Sequence, residues 1–340
     1  MRALEDRLGA VRALVAPRLQ AALADREPRA HLYDLIARAL ERAGKGLRPS
    51  LCIATTRAFG GDEAHAVPSA AALEMLHNAF LVHDDIEDGS ERRRDQPAMY
   101  VEHGVPLAVN VGDAMQALSL RMLKDNVKVV GPEVAWRIVD EFDHMLMQSL
   151  EGQAMELGWV RDNDCSITDD DYLLLVLKKT CWYSFIHPCR IGALIARGPG
   201  YDLGRFDRFG FLLGAAFQIQ DDVLNLIGDG KKYGKEIGGD LWEGKRTLIL
   251  SHLFRQVTGT DAARLRDVFA KPRDRRLPRE IGWLYELLAQ HRSIDFARDA
   301  AARLASAALQ EMETAYADAP EGEDKDFIRN LVRYTVERSV

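Results

Sequence analysis

The amino-acid sequence predicts an all-α protein, a single large helical bundle, on three observations. Apolar residues recur at helical spacing along nearly the whole chain, while the two-residue alternation of half-buried strands is nearly absent. Hydrophobic residues make up 47% of the 340, enough to bury a substantial core. No internal repeat, low-complexity linker or shift in composition divides the chain, so residues 1–340 read as one domain.

The elements follow in order. Leu4, Leu8, Val11, Leu14 and Leu19 fall close to one stripe of a first helix, and Leu32, Ile36 and Leu40 to one stripe of a second. Gly44 and Gly46 interrupt the pattern, and Pro49 suits the first turn of a third. A long apolar-rich helix is expected from about Val67 to about Asp88. Others are expected at 107–125, 131–158, 169–197, 203–227 and 240–258, with two or three more before the C-terminus. The stretches 89–104 and 228–239 read as loops rich in Gly and charge, and each directly follows an acidic cluster. The segment KPRDRRLPRE at 271–280 reads as a surface connection. Within CWYSFIHPCRIG, 181–192, Pro188 should kink its helix or mark a bulge, and Trp182, Tyr183 and Phe185 read as core.

Bulk properties exclude several classes. A net charge of −7 and a pI near 5.8 argue against a general nucleic-acid binder. The first twenty residues are charged throughout and resemble neither a signal peptide nor an anchor, and no apolar run nears the ~18 residues a bilayer span needs. Cys52, Cys165, Cys181 and Cys189 form no CxxC pair, which fits free thiols in a reducing cytoplasm.

Two acidic clusters carry the chemistry. In HDDIEDGSERRR, Asp84 and Asp88 share a helix face with Asp85 at its edge. Three carboxylates at the negative end of a helix dipole repel one another and the dipole, an arrangement that makes sense when cations occupy it. Hard oxygen ligands favour Mg2+, which takes its remaining ligands from water and substrate phosphates. FQIQDDVLN repeats the geometry with Asp221, Asp222 and Asn225. Together they suggest a multinuclear magnesium site between facing helices. Basic residues supply the other half: Lys45 and Arg48 in GKGLRP, Arg93 and Arg94 after the first cluster, Lys179 in KKT, Lys235 after the second cluster and Lys245 in EGKRT. They read as clamps for two separate diphosphates, Arg offering bidentate contacts and Lys point charges.

At these motifs the chain resembles the trans-isoprenyl diphosphate synthase family. DDxxD matches Asp84, Asp85 and Asp88; the second motif matches Asp221 and Asp222, with Asn225 replacing the third aspartate. The resemblance implies the isoprenoid synthase bundle with a central active-site cavity, Mg2+ (three ions per site, on the two acidic motifs) and a homodimer. It implies that Lys45, Arg48, His77 and Arg94 hold isopentenyl diphosphate, and that Arg93, Lys179 and Lys235 hold an allylic diphosphate. Thr180 and Gln218 match positions of polar groups near the reacting carbons. Asp95 and Ala98 depart from the Gly and Thr usual after the paired arginines.

The tail of a growing product should pass residues upstream of Asp84 turn by turn. Phe80 sits on the face of Asp84, and Ala79 is small where an aromatic pair would resemble the fifteen-carbon arrangement. The expectation is geranylgeranyl diphosphate, with farnesyl diphosphate as the competitor. A class I terpene cyclase of the same fold, a non-catalytic subunit of a heteromeric synthase and a helical interaction protein stay open as rivals.

Overall fold

The computed structural model describes residues 2–42, 44–94, 96–228 and 237–337. Across them most of the chain is helical, and the strands form one antiparallel hairpin, Arg92–Arg93 with Gln96–Pro97, which interrupts the expected 89–104 loop. Helix α1 (Arg2–Leu23) buries Leu4, Leu8, Val15 and Leu19. Leu14, expected on that stripe, is exposed; Val15 replaces it because it lies seven residues after Leu8, close to two full turns. Helix α2 spans Asp34–Glu41, and α3 (Leu47–Ala58) carries Pro49 in its first turn.

Helix α4 (Glu63–Glu87) starts earlier than expected because the Asp62 side chain accepts the Ala64 N–H at 2.9 Å and caps it. Ala70, Ala71, Ala72, Leu73, Met75, Leu76 and Ala79 bury it on nearly every side, as befits a helix apolar all round. It packs chiefly against α6 (Val105–Leu123), which follows the short α5 (Met99–His103). Helix α7 runs from Asn126 to Arg161, with a break at Gly131 (φ +79°) just before Pro132.

The expected helix over 169–197 is three pieces. Helix α8 (Asp169–Val176) opens on a capping box between Thr168 and Asp171. A π-helical stretch, Leu177–Ile186, follows, and then α9 (His187–Arg197) with Pro188 in its first turn. Pro188 donates no N–H and its ring crowds the carbonyl four residues back; the widened turns absorb both, so the bulge expected from the sequence is present. This stretch lies between α7 and α10 (Arg205–Ile227). Gly152 on α7 and Gly214 on α10 permit the approach: a β-carbon at Gly152 would stand 2.8 Å from Lys179 Cα, and one at Gly214 3.0 Å from Cys181 Cα.

The expected helix over 240–258 is two, α11 (Gly239–Glu243) and α12 (Leu248–Gln256). Gly244 breaks it with φ +76°, a conformation closed to most side chains. Helices α13 (Gly259–Phe269), α14 (Pro278–Gln290), α15 (Ser293–Ala315) and α16 (Glu323–Glu337) complete the bundle. Ala297, Ala301, Ala305 and Ala308 form a buried stripe on α15, which packs along α10. The 271–280 segment is not wholly a surface connection. Arg276 is buried within it and donates to the carbonyls of Leu241 and Phe269 at 3.3 and 3.1 Å. Among the described residues no helix is long and apolar enough to cross a membrane.

Candidate active site

The C-terminal ends of α4 and α10 open onto one cavity of about 820 Å³, lined by Asp84, Asp221 and Asp222 together with Lys45, Arg48, His77, Arg93, Arg94, Lys179 and Lys245. Residues far apart in the sequence therefore meet at one place. Lys235 and Asp95 lie outside the described residues.

Cations hold the first motif. Arg93 reaches Asp85 through Nε at 2.7 Å and Asp84 through Nη2 at 3.0 Å. Lys179 lies 3.5 Å from Asp84 and also pairs with Glu156 on α7. Lys245 donates to Asp88 at 2.6 Å and sits 3.2 Å from Glu243, which Arg273 holds at 2.9 Å. Burial works against the charge of all three cations, yet their acidic neighbours outweigh it and lift each pKa above its ordinary value. Asp88 is pushed up to about 7 by burial, against the pull of Lys245.

The second motif is held by neutral donors as well. Tyr172 donates to Asp222 at 2.7 Å, and Gln218 donates to its other oxygen at 2.9 Å. Thr180 in turn donates to Gln218 at 2.9 Å, so the two polar residues expected near the reacting carbons are joined. Burial raises the Asp222 pKa to about 7 despite these bonds. The Asn225 side-chain oxygen accepts the Asp240 N–H at 3.0 Å and ties α10 to α11.

Among the described residues no three acidic, His or Cys side chains form a ready metal cage. The donor set is oxygen throughout, and burial raises two of its carboxylates, Asp88 and Asp222, to about 7, so their charged forms lack the hydration that a bound cation would replace. That chemistry fits a hard divalent ion taking most of its ligands from water and substrate phosphate.

The same cavity also holds basic residues away from direct ion pairs with the two motifs. Lys45 donates to the Tyr334 hydroxyl at 2.6 Å, and Arg94 donates to the Arg42 carbonyl. Arg48 is buried, donates to Ser184 at 2.7 Å and has an Nε without a hydrogen-bond partner. His77 Nδ1 is likewise unpartnered. Burial, then Arg48 and Arg94, hold its pKa well below the ordinary value, so the ring is neutral near pH 7. Glu74 lies buried behind these cations; burial raises its pKa against their attraction. Orphaned buried polar atoms that face a cavity point to a ligand.

Phe80 lines the cavity, edge-on to Tyr183 with ring centroids 5.4 Å apart, whereas Ala79 is fully buried outside the lining. Of the aromatics expected in the core, Phe185 is fully buried and Trp182 packs on His144 and His187, but Tyr183 faces the cavity. Sequence reasoning missed Glu156, Tyr172, Glu243 and Tyr334. Glu156, Tyr172 and Tyr334 join the site through partners distant in sequence, which no local spacing announces, whereas Glu243 stands two residues from its partner Lys245.

Residues 29–288 match a family model described as polyprenyl synthetase. The geranylgeranyl pyrophosphate synthase of Geoglobus acetivorans is 30% identical over 327 residues, covering 96% of each chain. The crystal structure of geranylgeranyl pyrophosphate synthetase from Pyrococcus horikoshii is similar with a TM-score of 0.87 and 28% identity, covering 99% of both chains. A polyprenyl synthase from Caulobacter crescentus, solved with calcium and isoprenyl diphosphate, is similar with a TM-score of 0.83 and 26% identity, covering 98% of both chains.

Proposed function

The chain belongs to the polyprenyl synthetase family and is a prenyltransferase, and from that premise we propose that it makes geranylgeranyl diphosphate from isopentenyl diphosphate and an allylic diphosphate. The allylic C–O bond breaks and its electron pair leaves with pyrophosphate. The isopentenyl double bond supplies the electrons of the new C–C bond, and a proton then leaves to the departing pyrophosphate. One observation carries this reading: two acidic helix ends share a cavity with Lys45, Arg48 and Arg94, cations that make no ion pair with either motif among the described residues.

Arg93, Lys179 and Lys235 are assigned to the allylic diphosphate, with Lys245 beside them. Lys45, Arg48, His77 and Arg94 are assigned to the isopentenyl diphosphate. Thr180 and Gln218 orient the reacting carbons, and their mutual bond fixes both. Neutral His77 contributes a ring nitrogen without adding charge. Enzymes of this family need a divalent metal. Here it is assigned as three Mg2+ ions on Asp84, Asp85, Asp88, Asp221, Asp222 and Asn225, supplying Lewis-acid stabilisation of the charge that develops on the leaving diphosphate.

The reading extends to a homodimer in the cytoplasm. Val105, Val109 and Leu120 stand exposed on one face of α6, with Trp136 exposed on α7, and these support a subunit interface. Four free thiols, three of them buried, agree with a reducing compartment.

The test incubates the purified chain with Mg2+, isopentenyl diphosphate and dimethylallyl, geranyl or farnesyl diphosphate in turn, and weighs the products by mass spectrometry. Geranylgeranyl diphosphate is expected. A shorter or longer end product overturns the length assignment alone, and folded protein that releases no pyrophosphate overturns the reaction.

A further inference from the structure

Arg48 is a buried cation of this cavity that makes no direct ion pair, although its charge acts on buried Glu74. It is 9% exposed, and no carboxylate oxygen lies within 4.0 Å of it among the described residues. Its neighbours Arg93, Lys179 and Lys245 all have acidic partners. Two consecutive residues of the π-helical stretch hold it instead. The Tyr183 ring lies under the guanidinium with its centroid 4.2 Å from Cζ, and the Ser184 hydroxyl accepts its Nη2 proton at 2.7 Å. The tight spacing at Gly152 and Gly214 fixes the backbone of that stretch on both sides, so the ring is carried by a rigid support. The ring also stands perpendicular to Phe80 with centroids 5.4 Å apart, a contact that helps set the orientation of the aromatic plane.

We propose that Tyr183 is a positioning residue for isopentenyl diphosphate, acting through Arg48. An aromatic face and a hydroxyl orient a guanidinium without cancelling its charge, whereas a carboxylate in their place would compete with the incoming diphosphate. The full positive charge and the unpartnered Nε of Arg48 are thus kept for the substrate. The widened helix is what makes the cradle, because it brings both Tyr183 and Ser184 to one guanidinium. This inference rests on the reading given under Proposed function.

The experiment compares steady-state kinetics of the wild-type chain with those of Tyr183→Leu and Tyr183→Phe. Thermal unfolding verifies each fold, and Tyr183→Met replaces the leucine variant should that one fail to fold. Tyr183→Leu is expected to raise KM for isopentenyl diphosphate roughly three- to thirty-fold, the range a lost cation–π contact spans. The KM for the allylic diphosphate should stay within twofold, and Tyr183→Phe, which keeps the ring face, should match wild type. Ser184→Ala should reproduce the same selective rise in weaker form. Unchanged isopentenyl KM in Tyr183→Leu, an equal rise for both substrates, or an equal rise in Tyr183→Phe overturns the inference while an active wild type keeps the parent reading. A silent wild type overturns both.

Discussion

Adding a single methyl group at Gly152 should damage catalysis more than it damages the fold. An alanine β-carbon there would stand 2.8 Å from Lys179 Cα and closer still to its amide nitrogen, well inside the 3.4 Å where ordinary contact begins. The obstructing atoms are backbone, so no rotamer change relieves the clash, and the π-helical stretch must back away from α7 by roughly 1 Å. Overpacking of this kind costs about 1–3 kcal/mol of stability. Lys179 would meanwhile lose its register with both Glu156 and Asp84. Displacing a positioned group by about 1 Å can reduce turnover on the order of a hundredfold. The assay is pyrophosphate release at saturating substrates, read beside the thermal transition of Gly152→Ala. A variant that stays folded with kcat near wild type would show that Lys179 does not depend on this contact.

Three further outcomes are expected. Phe80→Ala should remove one wall of the cavity below Asp84 and lengthen the product by five-carbon units, read by mass; an unchanged product removes Phe80 from the length argument. In EDTA, calorimetric binding of isopentenyl diphosphate should persist while that of farnesyl diphosphate is lost, and equal metal dependence of the two would refute the division of the cavity. Glu141→Gln should cost about 3 kcal/mol at pH 7 in denaturant unfolding. Burial opposes the charge of Glu141, but His187 at 2.7 Å and Arg190 at 2.7 and 2.8 Å outweigh it and hold its pKa at about 2, below the ordinary 4.5. That contribution is fully present above pH 4.5 and is lost as pH falls toward 2, so the variant and wild type should converge in acid; a gap that does not close refutes the assignment.

The acidic motifs and most of the cations were legible in the sequence because their function is written in local spacing. Asp84 and Asp88 share a face by helix geometry alone, and GKGLRP announces its cations through the glycines around them. What spacing could not give was register set by packing. Tyr183 reads as core from its neighbours, and it reaches the cavity through the widened turns between Leu177 and Ile186. The helix expected over 240–258 failed at Gly244, where a positive φ ends one helix and admits the next. Partners such as Tyr172 for Asp222 and Glu156 for Lys179 come from elements brought together by the tertiary fold, and no short sequence window contains both.

The charges of the cavity explain why two diphosphates should not exchange places. Around the two motifs, Asp84, Asp85, Asp88, Asp221 and Asp222 stand with Glu156 and Glu243 against Arg93, Lys179, Lys245 and Arg273. Among the described residues carboxylates exceed cations there, and burial, with like charge adding to it, raises the pKa values of Asp88 and Asp222. A diphosphate brought to this half alone meets like charge, and it becomes welcome only together with divalent cations. Among the other lining cations, Arg48 and Arg94 act on one buried carboxyl, Glu74, whose own pKa burial raises, and Lys45 makes no ion pair among the described residues. That set of cations attracts a diphosphate unaided. A substrate whose diphosphate is to leave needs the half in which added cations stabilise the departing charge, and a substrate whose diphosphate stays on the product needs a half that holds it without promoting its cleavage. The same sign of charge on both ligands is thus sorted by opposite fields, and Arg48 keeps the basic field intact because an aromatic ring rather than an acid holds it.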